Sequence, residues 1–127
     1  MIAADTSTWV AFLRQEPGDD VELLARALYG HQTMMVPAVL TELLSAIGLP
    51  QDAAADLRRI PRIPLQLDYW ENAGLLRARI LARGRRARLG DALIAETCIA
   101  EGIPLVTRDR DFAIFGEAAG LELVLSP

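Results

Sequence analysis

Apolar residues in this chain fall into short unbroken runs that alternate with longer amphipathic stretches. Met1–Ala4 is an apolar run that stops at Asp5; "TSTWVAFLR" follows with helical spacing and offers Asp, Thr or Ser as its cap. "PGDDVELLARALYG" reads as a helix, with proline and acids at its start and glycine at its end. "MMV" reads as a second short strand, and "PAVLTELLSAIG" as a helix ended by Gly48. "QDAAADLRRI" is a further helix and "RIPLQ" an extended piece between prolines. "LDYWENAGLLRARILARG" is long and amphipathic, whereas "GDALIAETCIAEG" is apolar on nearly every side and predicts a buried helix. "IPLVT" is a strand, "DRDFAIFG" a short helix or turn, and "LELVL" a final strand. Short apolar strands alternating with helices predict an α/β fold with a parallel sheet covered on both faces. No repeat or linker interrupts the pattern, so a single domain over residues 1–127 is expected.

In such sheets, sites form beyond the carboxyl ends of strands, near the point where strand order reverses. Asp5 and Asp109 both stand just past the end of a predicted strand. Each acid also has a plainer reading. Asp5 suits a helix cap, and Asp91 in "GDALIA" suits the positive end of a helix dipole. Asp109 and Asp111 suit a capped turn. Glu42 lies at the edge of the stripe formed by Val39, Leu40, Leu43, Leu44 and Ile47, a position that fits either a cleft rim or a solvated flank. Parallel α/β packing can gather these ends at one edge of the sheet. Four carboxylates so close would raise one another's pKa unless a positive charge sat among them. Hard oxygen ligands without paired His or Cys point to Mg²⁺ or Mn²⁺ rather than zinc. His31, the only histidine, follows Gly30 in a turn that ends a helix.

Composition narrows the field. Hydrophobic residues make up 52% of the chain, which fits either an Ala- and Leu-rich core or an apolar surface that meets a partner or a second copy. Net charge is −4, which argues against a general nucleic-acid coat protein. All 13 basic residues are arginine, and Arg77–Arg88 concentrates several in "RARILARGRRAR". Cys98 is the sole cysteine, so no internal disulfide forms, and its apolar setting predicts a buried thiol. No apolar run approaches membrane-spanning length, and a soluble, cytoplasmic protein is expected.

Four pieces in this order, "AADTSTW", "TELLSA", "GDALIAETC" and "LVTRDRDF", resemble the PIN-domain ribonucleases, in particular the VapC-type toxins of bacterial toxin–antitoxin pairs. The resemblance runs through essentially the whole chain and implies a three-layer α/β/α fold with a short central parallel sheet. It also implies that Asp5, Glu42, Asp91 and Asp109 are an acidic quartet holding one or two divalent metals, Mg²⁺ or Mn²⁺. Asp5, Asp91 and Asp109 are then direct ligands, and Glu42 acts through water or as a base. Asp111 is an outer ligand or only a cap. Thr107 and Ser7 support the acids by hydrogen bonds, Ser7 with a helix cap as its other reading. Trp9 is bulkier than the aliphatic residue expected at its place. The implied reaction is hydrolysis of RNA phosphodiesters to 5′-phosphate and 3′-hydroxyl ends. An RNA backbone approaching an acidic hollow needs a positive rim, which Arg85, Arg86, Arg88, Arg108 and Arg110 could supply; a solvated helix end is the plainer reading of the first three. A homodimer and a small antitoxin partner are implied as well. A non-catalytic RNA- or protein-binding shell of the same fold is the alternative. Receiver-type phosphoaspartate proteins are disfavoured, because the chain has no lysine for the phosphate.

Overall fold

The computed structural model describes residues 1–125. In chain order the elements are β1 (Ala3–Ala4), α1 (Thr6–Leu13), α2 (Asp19–Tyr29), α3 (Pro37–Leu44), α4 (Gln51–Arg59), α5 (Tyr69–Ala82), α6 (Leu89–Glu101), β2 (Leu105–Thr107), a 3₁₀ turn (Arg110–Phe112), α7 (Ala113–Ala119) and β3 (Leu123–Leu125).

The three strands are parallel, in the order β1-β2-β3, with Ala4 beside Val106 and Val106 beside Val124. Single parallel bridges extend the sheet on the other side of β1, first Ile2 to Thr33 and then Met35 to Arg62. The chain therefore lays down its extended pieces outward from β1 in one direction, and returns after α6 to build in the other. Strand order reverses between β1 and β2, so their carboxyl ends flank the natural crevice of the fold. Ala3, Ala4, Leu105, Val106 and Thr107 are all fully buried. Successive strand residues point to opposite faces, so burial of consecutive residues means that both faces are covered. The architecture is the expected three-layer α/β/α.

Local corrections have local causes. The helix expected to run to Gly48 ends at Leu44: the Ser45 hydroxyl donates to the Thr41 carbonyl at 2.6 Å, and the chain leaves through a turn with Gly48 at φ +85°. Ile47 is consequently fully exposed rather than part of the buried stripe. "MMV" and "RIPLQ" contribute one bridge between them, at Met35 and Arg62, and not full strands. Of the two readings of "DRDFAIFG", the short helix is the one found, a 3₁₀ turn running into α7.

The core holds Trp9, Leu24, Met35, Ile63, Ile80, Phe112 and Phe115. Trp9 meets Phe12 edge-on at 5.8 Å, and its buried indole N–H has no partner among the described residues. α6 buries Ala92, Ile94, Ala95, Thr97 and Cys98, as its apolar composition predicts. Among the described residues no helix is long and apolar enough to cross a membrane.

Candidate active site

Asp5 ends β1 and caps α1. One carboxylate oxygen accepts the Thr8 N–H at 3.1 Å, and both accept the Ser7 hydroxyl, at 2.9 and 2.8 Å. The residue is 3% exposed. Burial pushes its pKa above the usual carboxylate range, opposed by hydrogen bonds from the hydroxyls of Ser7 and Thr107 and from the amides of Thr8 and Ser7. Both readings of Asp5 thus hold at once: it is a cap, and its carboxylate is set at the crevice.

The end of β2 is built in the same way. The fully buried Thr107 hydroxyl accepts the Asp109 N–H at 2.9 Å. Asp109 Oδ1 accepts the Asp111 N–H at 2.9 Å and so caps the 3₁₀ turn. Its other oxygen, Oδ2, faces Arg88 Nη2 at 3.1 Å. Asp91 stands in the first turn of α6, half-buried. Burial pushes its pKa up; Arg88 opposes this, and nearby Asp109 and Asp111 add to it. Arg88 donates from Nε to Asp91 Oδ2 at 3.0 Å and from Nη2 to Asp111 Oδ2 at 3.5 Å.

Glu42 is exposed on α3, and Oε1 accepts the Thr6 hydroxyl at 2.8 Å. The rim reading of Glu42 matches its position: Asp5, Ser7, Glu42, Arg88, Asp91 and Asp109 line one cavity of about 420 Å³. The structure therefore brings all four quartet acids to one hollow, while Asp111 stands just outside it.

The donor set fits a hard dication. Asp91, Asp109 and Asp111 each offer one oxygen, and these atoms lie within 4.8 Å of one another. A positive group already stands among them, the Arg88 guanidinium, which is the counter-charge that three gathered carboxylates require.

The five arginines divide. Arg85, Arg86, Arg88 and Arg110 line a second cavity of about 360 Å³, which shares Arg88 and Asp91 with the first. Arg108 faces away from it. Its Nε and Nη2 donate to Asp20 at 2.8 and 3.0 Å, and Nη2 also reaches the Pro17 carbonyl at 3.1 Å. Asp20 also accepts the Thr8 hydroxyl at 2.9 Å and its side chain is fully buried. Burial alone would push the Asp20 pKa up, but the bonds from Arg108 and Thr8 outweigh it and hold the carboxyl below the usual range. Asp20 is the residue sequence reasoning missed. Its signal was an acid four residues before Leu24, on the buried face of α2.

A third hollow, of about 360 Å³, is apolar. Pro37, Leu65, Tyr69, Trp70 and Leu93 line it, and Glu42 and Gly90 join it to the carboxylate cavity. Trp70 beside it is 63% exposed.

Comparison with known proteins places this geometry in a lineage. The PIN domain family matches residues 2–118. Ribonuclease VapC5 of Mycobacterium tuberculosis is 30% identical over 73 residues, 58% of this chain and 52% of that protein. The chain thus spans about half the length of the curated relative it matches. Among solved structures, VapBC-5 from M. tuberculosis, a member of the VapBC family of toxin–antitoxin systems, is 26% identical, with a TM-score of 0.66 and coverage of 98% of this chain and 97% of that one. VapBC2 from Rickettsia felis, bound to a DNA fragment from its promoter, is 24% identical with a TM-score of 0.74 and 98% coverage of both chains, a likeness of fold.

Proposed function

The chain belongs to the PIN-domain family, and on that footing we propose that it is an endoribonuclease that uses Mg²⁺ or Mn²⁺ to hydrolyse RNA phosphodiesters, acting as the toxin of a toxin–antitoxin pair. One observation carries the reading: Asp5, Glu42, Asp91 and Asp109, far apart in sequence, line a single cavity where strand order reverses. One domain, over residues 1–127, carries the activity.

Asp91 and Asp109 would hold the cation, joined by Asp5 at the end of β1 and by Asp111, whose oxygen lies within 4.8 Å of theirs. When bound, the cation supplies charge neutralisation at the phosphate and an acidified water. The chain's own residues do the rest. Ser7 and Thr8 lock the Asp5 carboxylate, and Thr107 and the Asp111 amide fix the backbone and side chain of Asp109. Glu42, steadied by Thr6, offers an acceptor at the cavity mouth for the proton of the attacking water. Arg85, Arg86, Arg88 and Arg110 hold backbone phosphates, which positions the RNA without reading its sequence. In-line attack leaves 5′-phosphate and 3′-hydroxyl ends. Arg108 supports the site differently from the other four, by fastening the segment that carries Asp109 to Asp20.

The partner is a small antitoxin protein, and a second copy of the chain completes a homodimer in the cytoplasm. The apolar hollow beside Glu42, with Trp70 and Leu65 at its wall, supports a protein partner that reaches the acidic cavity. VapBC-5 of M. tuberculosis, similar in fold, belongs to the VapBC family of toxin–antitoxin systems.

The test is cleavage of a structured RNA by purified protein with and without Mn²⁺, beside Asp5→Asn. Cleavage that needs the metal and falls by about a hundredfold or more in the variant is the expected result. RNA binding indifferent to metal and to the substitution, with no cleavage, would favour a non-catalytic shell instead.

A further inference from the structure

We propose that Arg88 is the chain's own occupant of the cation seat: it holds Asp91, Asp109 and Asp111 together in the metal-free protein, and cation uptake drives it into the neighbouring arginine-lined cavity to meet a substrate phosphate. The inference rests on the metal reading above and adds an exchange step to it.

The stereochemistry sets up a competition. Asp109 Oδ1 is engaged by the Asp111 amide, which makes Oδ2 the freer oxygen for a cation, and Arg88 Nη2 holds that atom. Arg88 also holds Oδ2 of Asp91 through Nε and reaches Oδ2 of Asp111. Among the described residues, these three acids each place one oxygen within 4.8 Å of the others. One guanidinium against three carboxylates leaves the cluster negative, so a dication is still drawn in.

Little holds Arg88 in place. Its side chain is 57% exposed, and exposed ion pairs are individually weak. Arg108 is the contrast: its partner Asp20 is fully buried, and two guanidinium nitrogens bind it. Arg88 also has somewhere to go. The 360 Å³ cavity that Arg88 also lines carries Arg85, Arg86 and Arg110, none of which forms an ion pair among the described residues. Three unpaired guanidinia around one hollow attract an anion, and a backbone phosphate seated there would give Arg88 a new partner. Cation and phosphate then favour each other's binding through one side chain, and the coupling is reciprocal.

The test reads the guanidinium directly. Arginine Nε–H signals are followed by NMR while Mg²⁺ is added, with calorimetry on the same samples. The Arg88 signal is identified by its loss in Arg88→Gln, and Arg108 serves as the internal control. The expected result is that the Arg88 signal moves to the position of exposed arginines as Mg²⁺ binds, while the Arg108 signal stays. Arg88→Gln should take up Mg²⁺ about tenfold more tightly, since nothing must be displaced. Arg88→Lys, which keeps the charge without the fork, should fall between and serves if the glutamine variant does not fold. Mg²⁺ uptake with an unmoved Arg88 signal, or weaker uptake by the variants than by the native chain, overturns the exchange and leaves the metal site standing. Absence of uptake by native and variant proteins alike overturns both.

Discussion

Asp20→Asn isolates the contact that fastens the Asp109 segment to the rest of the protein. The substitution conserves volume and removes one charge. The carboxylate it replaces has a fully buried side chain and accepts two bonds from Arg108, at 2.8 and 3.0 Å, and one from Thr8 at 2.9 Å. Breaking a fully buried pair costs about 3–5 kcal/mol, and a hydrogen bond to a charged group is worth about 1.5–3 kcal/mol. The Arg108 side chain is 31% exposed, so water relieves part of its lost partnership, and a cost of about 2–3 kcal/mol follows. For a chain of this length that lowers Tm by roughly 6–15 °C. Acid supplies a second signature. The native Asp20 carboxyl is held below its ordinary range, so its stabilisation is full above that range and disappears as pH falls through the native pKa. Urea melts of native and variant protein near neutrality should show the difference with an unchanged m-value, and the difference should shrink as pH falls below the ordinary carboxylate range. A difference under about 0.5 kcal/mol at neutral pH, or one that persists in strong acid, would refute the reasoning.

Other expectations follow from the same geometry. In Asp91→Asn, metal-free Tm should hold or rise, because burial and the neighbouring acids push the native Asp91 pKa up. A raised carboxyl pKa means that the native state binds its proton more tightly than the unfolded chain, so stability falls as pH climbs through that interval. Asp5 contributes with the same sign. The metal-free native protein should therefore gain stability on mild acidification and Asp91→Asn should gain less; a large loss of Tm in the variant would make Asp91 a structural support of α6. Gly18→Ala should cost about 1–3 kcal/mol in a thermal melt, since Gly18 sits at φ +155° and a Cβ there would press on Asp20 and lie 2.6 Å from Arg108 Nη2. Cys98 is 1% exposed and burial pushes its thiol up to about 12, so a thiol reagent should leave the native protein unlabelled and react fully in urea.

The acids of the site were legible because strand ends are. An apolar run that stops at a carboxylate marks both the end of a strand and the mouth of the crevice, and this held for Asp5 and for Asp109. Glu42 was legible from its angle to Val39, Leu40 and Leu43, residues that are indeed buried. Asp20 was not, because an acid in the first turn of a helix has an ordinary use there, and its partner Arg108 lies 88 residues away. For the same reason Arg108 and Arg110 read alike in sequence, although one is bound to a buried acid and the other stands at a cavity wall with no ion pair among the described residues. The early end of α3 falls at Ser45, whose hydroxyl bonds to the Thr41 carbonyl, a local choice that periodicity does not encode.

Two of the acids at the crevice are also the caps of the segments that follow them, Asp5 for α1 and Asp109 for the 3₁₀ turn. Asparagine caps about as well as aspartate. A change of one oxygen to nitrogen at either place would therefore extinguish the charge and spare the architecture. If the acids hold a cation as proposed, such a copy would lose the charge that draws the ion in and still fold, so that loss of chemistry need not mean loss of presence.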